Sequence, residues 1–395
     1  MGASLTAACA REDPADGLRA LRGRCAGRTG SMRRMVAHRV AHRRPHRRIA
    51  SAVLAAVAAA TLGGCVSGPP YDQLLTGDEE LLAVAREHYT DARDRVAIAL
   101  LDGDEVRTAF VSADPGTWFG FGGATSALTG LLLADAIDRG EVAIDDPVSA
   151  HLDLGDAPAA GLTLGALATH RSNLPQDPLG PEAFQAGAVD GEAVPDRGGL
   201  DAMLARVAAL DLVPELEYNP SDFDAALVGQ AIAAASGTRF SDLLAERVLE
   251  PAGMTGAVVV ESGDLLPDDL AQGHEWRGER VAPRGSGAYA PATGVAATID
   301  DGVALARSVL DGPFAGSAAL EPVADTRWPQ IRVGYFWERI DAGDDGVDYI
   351  IGSAEGFTAA VLVDPSAGRA VVLLSNTEEA WPWVRLRPLL SLLVE

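Results

Sequence analysis

The sequence predicts an α+β fold: an antiparallel sheet flanked by helices, built from segments near both ends of the chain, with a mostly helical part inserted between them. Three observations lead there. Two apolar runs, residues 95–101 and 106–112, flank Asp102-Gly103-Asp104, a hairpin signal. Four strand-like runs, residues 335–340, 347–351, 357–364 and 369–375, lie near the other end, the last two joined by the turn Pro365-Ser366-Ala367-Gly368. Between these groups the spacing is helical, and one helix is apolar nearly all round from Ala127 to Ala134, which marks a buried core helix.

Taken in order, the chain starts with a segment of its own kind. The first 64 residues hold 12 arginines against 3 acids, and pass from Arg43-Arg44-Pro45-His46-Arg47-Arg48 into an apolar run of 14 residues, 49–62. A basic region followed by a short apolar run reads as a secretory signal, and the run is too short to span a bilayer comfortably. It ends in Leu62-Gly63-Gly64-Cys65, which resembles a bacterial lipoprotein processing box and implies lipid attachment at Cys65. The expected organisation is therefore a leader over residues 1–64, a tether over 65–74 and one domain over 75–395. That organisation implies export, with the membrane as a partner through an anchor on its outer face.

Composition narrows the chemistry. The three cysteines are Cys9, Cys25 and Cys65, so removal of the leader leaves no disulfide and no thiol chemistry. The net charge is −24; the leader contributes +9, which leaves −33 on the remainder and argues against nucleic acid as a partner. All 32 basic residues are arginine, and lysine does not occur. Arginine cannot accept a proton at neutral pH, so any mechanism with a lysine base is excluded.

Within the domain, residues 71–92 read as a first helix, with Leu81, Leu82, Val84 and Ala85 on its apolar side. The core helix turns polar at Asp135, Asp138 and Arg139 and stops at Gly140, a residue that tolerates the left-handed C-terminal cap. Asp145-Asp146 beyond it anchors a turn, and residues 176–199 read as a surface loop. Helices are expected over residues 200–210, 225–236 (ended by Gly237) and 241–250. Another is capped by Thr298 and Asp301 at N-cap and N3 spacing, and a closing helix from Trp381 carries Pro388.

The glycine turn Phe119-Gly120-Phe121-Gly122-Gly123 and the helix after it resemble the serine β-lactamase and penicillin-binding family, most of all its class C, esterase and D-alanyl-D-alanine peptidase branches. Gly161 to Pro175 resembles the family segment ending in His-x-Ser-Gly-Leu-Pro, with Asn173 in place of the glycine and His170 read as structural. Pro251-Ala252-Gly253-Met254 and residues 291–310 are similar to further family stretches. The resemblance implies a helical part over about residues 123–260 and a sheet part over about 75–122 and 285–395.

It also implies where catalysis would sit. The family opens the core helix with Ser-x-x-Lys, a nucleophile and its base. Here Gly123 stands for the serine and Ser126 for the lysine. The Tyr-x-Asn motif falls on Pro220, Ser221 and Asp222; a shift of two residues recovers Tyr218 but puts Pro220 at the third place. The Lys-Thr-Gly or His-x-Gly motif falls on Ile350, Ile351 and Gly352, and no histidine follows His274. Nucleophile, base, phenol and cationic clamp are all missing from their places.

The reading that follows is a non-hydrolytic surface lipoprotein. Its groove, roomier at Gly123 and less polar along Ile350-Ile351, is expected to take a peptidoglycan-type peptide or a neutral small ligand. Gly352 and Ser353 would permit close approach of a ligand to the backbone. No cofactor and no metal is implied. The alternative is an active serine hydrolase with rearranged residues, using Ser126 or Ser221 as a displaced nucleophile. Against it, Ser126 is expected to bond a carbonyl one turn back, and Ser221 to cap a helix.

Overall fold

The computed structural model describes residues 74–394 apart from residues 90, 92, 177–195, 213–216, 343–344 and 380–382. The leader and Cys65 lie outside the described residues, as do most of the expected 176–199 loop and the start of the closing helix.

The fold is α+β, with an antiparallel sheet and helices on both of its faces. Among the described residues, nine strands form the main sheet in the order β1-β3-β2-β12-β11-β10-β9-β8-β7. They are β1 (Leu75–Gly77), β2 (Val96–Asp102), β3 (Glu105–Val111), β7 (Ala324–Asp325), β8 (Ile331–Val333), β9 (Glu338–Ala342), β10 (Asp345–Ala354), β11 (Phe357–Asp364) and β12 (Arg369–Ser375). The two ends of the chain meet where β2 pairs with β12, with Val96 opposite Ser375 and Ala99 opposite Val372. A second sheet of three short strands, β4 (Phe119–Gly120), β5 (Val258–Val259) and β6 (Val295–Ala297), braces the entry to the core helix.

Strand alternation divides the interior into two cores. Ala97, Ala99 and Leu101 of β2 pack with Val361, Val363, Val372 and Leu374 on the face of the helical part. Val96, Ile98 and Leu100 turn the other way, with Leu362, Val371 and Leu373, onto the terminal helices. A sheet covered on both faces needs apolar residues at successive positions, which is why these strands read as unbroken apolar runs.

The second core is closed by α1 (Glu79–His88), which contributes Leu81, Leu82 and Ala85, and by Leu386, Leu389, Leu390 and Leu393 of the closing helix. The first holds α2 (Thr125–Asp138), buried from Thr125 through Ala134, with Gly140 at φ 68° beyond its end. Around it lie α3 (Leu164–Ala168), α4 (Leu200–Ala208), α5 (Asp222–Ser236), α6 (Phe240–Leu244), α7 (Ala290–Thr293) and α8 (Ile299–Leu310). The closing helix is α9 (Trp383–Val394).

Several boundaries differ from the sequence reading. The first helix starts at Glu79, because the Asp78 side chain accepts from the Glu80 and Leu81 amides, and β1 occupies part of the expected helix. The expected 241–250 helix runs from α6 through a π turn, Ala245–Leu249, to a last turn ending at Gly253. β9 begins at Glu338 rather than at 335, since Phe336 takes φ 61° and breaks the extended run. The short strands β7 and β8 carry too few residues to show a pattern. The α8 cap is as read: Thr298 and Asp301 form a reciprocal capping box.

Candidate functional site

A cleft of about 380 Å³ opens between the mouth of α2, the N-terminus of α5 and strand β10. Its lining includes Gly123, Ser126, Pro220, Asp222, Ile350 and Gly352, so residues far apart in sequence converge on one place. The sheet creates this opening. β9 pairs with β10 only as far as Glu338 opposite Tyr349, which among the described residues leaves Ile350 to Ala354 without a strand partner on that edge.

At the α2 mouth, Gly123 has no side chain, and Ser126 Oγ donates to the Gly123 carbonyl at 2.8 Å. The bond reaches back three residues, so Ser126 satisfies the helix end instead of facing a ligand. The helix mouth is not roomier for the glycine. A Cβ on Gly123 would lie 3.3 Å from Gly352 Cα, and one on Gly352 only 2.1 Å from Ala124 N. Gly352 thus serves a backbone-to-backbone contact between β10 and the helix mouth, where the sequence suggested close approach of a ligand.

Ser221 is the N-cap of α5. Its Oγ accepts from Phe223 N at 3.2 Å and donates to Pro175 O at 2.7 Å. Asp222 Oδ2 sits 3.3 Å from Arg197 Nη2, and the same guanidinium reaches Glu355 Oε1 at 3.1 Å and stacks on the Tyr289 ring at 4.7 Å. Buried Arg197 therefore ties the start of α5 to the β10–β11 turn across one end of the cleft. Ile350 is 7% exposed and belongs to the core, so the β10 wall carries no charge there.

The opposite wall is polar, and it carries His170, read from the sequence as structural, and Tyr218. His170 Nδ1 lies 2.8 Å from Asp224 Oδ2, with Ser221 N at 3.3 Å from the same ring nitrogen. His170 lines the cleft, and among the described residues its Nε2 has no protein partner. Burial raises the Asp224 carboxyl above its usual range, while the hydrogen bond and charge of His170 and a Ser172 hydrogen bond pull it down. His170 and Asn173 both take left-handed backbone angles, φ 54° and 59°. Asparagine is among the few residues that tolerate this, which explains how it replaces glycine there.

Tyr218, recovered by the two-residue shift, also lines this wall, and its hydroxyl donates to Glu338 Oε1. Burial first, and then the Glu338 carboxylate, push the phenol well above its ordinary range. It is a neutral donor and cannot act as a base at neutral pH. The cleft also has a cation that the motif reading lacked: Arg327, stacked 4.4 Å over the Trp328 ring. One signal for this wall was available. Asp224 is a carboxylate in an otherwise apolar helix, and such a group needs a buried partner.

The sequence pattern of the Beta-lactamase family matches residues 83–394. The chain belongs to that family. Solved structures similar to it include a class C beta-lactamase at 15% identity and TM-score 0.66, covering 80% of this chain and 94% of that one. The class C beta-lactamase from Rhodobacter sphaeroides and the beta-lactamase from Sulfitobacter sp. EE-36 are each 19% identical with TM-score 0.63, covering 80% of this chain and 97% of theirs. No curated protein matches the chain in sequence. At these identities the beta-lactamase likeness establishes the fold, and chemistry has to be argued from the cleft. Among the described residues, no cluster of His, Cys, Asp or Glu is arranged to hold a metal ion.

Proposed function

We propose that this beta-lactamase-fold protein is a non-hydrolytic binding protein of the cell envelope, taking a peptidoglycan-type peptide or a neutral small ligand in the cleft. One observation carries the reading: all three motif positions meet in the cleft, and none offers a free nucleophile beside a base. Gly123 is bare, and the Ser126 and Ser221 hydroxyls are held by backbone carbonyls. Asp222 is ion-paired, and Ile350 is apolar and buried. In a serine protease, loss of the nucleophile or base alone costs roughly 10⁶-fold in rate. Arg327 at the rim is available to an acidic end of an otherwise neutral ligand. The purified chain is expected to leave chromogenic β-lactams and short esters intact and to take no covalent label from fluorescent penicillin. A labelled serine located by mass spectrometry overturns the proposal.

His170 favours a second reading, a hydrolase with rearranged residues. Its Nδ1 is held by Asp224 and its ring faces the cleft, an arrangement suited to a general base. On that reading Ser126 or Ser221 becomes acylated, and His170→Ala abolishes the labelling.

Attachment to the outer face of the membrane at Cys65 is part of the proposal, supported by Leu62-Gly63-Gly64-Cys65 after the apolar run. Cys65→Ala is expected to release the protein or leave it unprocessed. A variant that keeps an acyl label and stays with the membrane disproves the attachment.

A further inference from the structure

Away from the cleft, a second cavity of about 340 Å³ is lined by Arg93, Arg95, His274, Arg280, Asn376 and Asp269, among others. We propose that it binds an oxyanion, a phosphate or sulfate group, between Arg93, Arg95, Arg280 and His274. This inference is independent of the function proposed for the cleft.

Charge is the first reason. The protein carries −24 overall, yet three of its arginines line this one pocket against a single carboxylate, Asp269. Arg93 Nη1 is partly offset by Asp91 Oδ2 at 3.0 Å, but among the described residues neither Arg95 nor Arg280 is paired with a carboxylate. Like charges are gathered at a cost, and an anion between them removes it.

An unsatisfied donor is the second. Arg93 Nε is buried without a hydrogen-bond partner. His274 is 7% exposed, and its Nδ1 lies 3.4 Å from Asn376 Nδ2. The amide orientation is fixed, because Nδ2 also donates to Arg93 O at 3.1 Å and Gln272 O at 2.7 Å, while Oδ1 accepts from Arg95 N at 2.7 Å. Both hydrogens of Nδ2 are used in this way, and the His274 ring is held against the backbones of Gln272 and Asn376. A buried guanidinium N–H without a partner, on an arginine that lines the cavity, calls for an acceptor.

The walls are also pre-formed. Asn376, 1% exposed, latches the segments carrying Arg93, Arg95 and Gln272. A tight turn brings Arg280 opposite His274, and Gly278 at its corner takes φ 98°, with the Arg93 guanidinium lying where its Cβ would be. Ser112 of the lining donates its amide to Leu74 O at 2.7 Å, so the pocket sits where the chain enters the domain. A lipid headgroup and a free anion share the chemistry this pocket recognises.

His274 links the site to pH. Burial, with the charges of Arg93 and Arg280, holds its pKa below the usual imidazole range. The other charged groups of the lining are Arg95 and Asp269. An anion offsets the arginines and favours the imidazolium, so affinity should rise as pH falls through the His274 range. Sulfate, a dianion throughout, reads this without titrating itself.

The experiment is calorimetric titration of the full chain with inorganic phosphate and with sulfate. Binding at millimolar concentration or tighter is expected, weakened at least tenfold in Arg280→Ala and Arg95→Gln and unchanged in Arg239→Ala, an exposed arginine outside both cavities. Arg280 is exposed, so its variant folds. Vesicles of phosphatidylglycerol in phosphatidylcholine then identify the source. Vesicle binding displaced by phosphate marks a headgroup, and binding of the free anion alone marks a soluble ligand; either upholds the site. No binding of phosphate or sulfate, or equal binding by Arg280→Ala, overturns it.

Discussion

The two walls of the cleft differ in what became of their polar groups. On the α2 and β10 wall, the motif positions are bare, capped or apolar, and the two backbones touch through Gly123 and Gly352. On the opposite wall, His170 with Asp224 and Tyr218 with Glu338 form two buried pairs. On the first wall the bare Gly123 leaves no cavity, because the strand backbone fills the space. The second keeps polar groups because each satisfies another, the condition under which a buried polar group is tolerated.

The largest expected effect comes from breaking the polar wall. Asp224→Ala leaves His170 facing an empty buried site, and should cost about 3 kcal/mol, the scale for removing one partner of a buried pair. Chemical denaturation of both proteins measures it. A loss below about 1 kcal/mol would mean that the pair is not what holds this wall.

A comparable ceiling applies behind the other wall. Glu378 accepts from Gly356 N at 2.9 Å, at the turn between β10 and β11. Burial first, then the charges of Glu355, Glu275 and Asp222, raise its pKa to about 7 from 4.5. A carboxyl raised on folding contributes stability that is full below the unfolded value and is lost as pH rises through the folded one. The loss between about pH 4.5 and 7 is at most about 3 kcal/mol. Glu378→Gln should remove that slope and be the more stable protein at pH 8. Parallel stability curves for the two proteins would rule the effect out.

The smallest effect separates capping from catalysis. Ser126→Ala removes one hydrogen bond to Gly123 O and should cost about 0.5–1.5 kcal/mol. Reactivity toward fluorescent penicillin should stay at background in both proteins. Labelling that disappears with this substitution would make Ser126 a nucleophile after all.

How much was legible in the chain varied with the range of the interaction. The core helix, the Thr298–Asp301 box, the N-cap at Ser221 and the β2–β3 hairpin all depend on neighbours a few residues apart, and could be read directly. So could the loss of the lysine base, since a residue type that never occurs needs no structure to exclude it. The short strands β7 and β8 could not, having too few residues to show a period. The six positions named from the sequence line one cleft, but their spacing did not tell which side chains would be spent on backbone contacts.

What the sequence determined by itself was therefore the α+β class and the absence of lysine from the chain. Both rest on local periodicity or on the identity of single residues. Only the tertiary structure decided that His170 meets Asp224, 54 positions away, and that Tyr218 meets Glu338 across 120. It alone brought Arg93, Arg95 and Arg280 to one pocket. Such pairings depend on which strand lies beside which, and no local pattern carries that choice, because it is fixed by how the whole sheet buries its two faces.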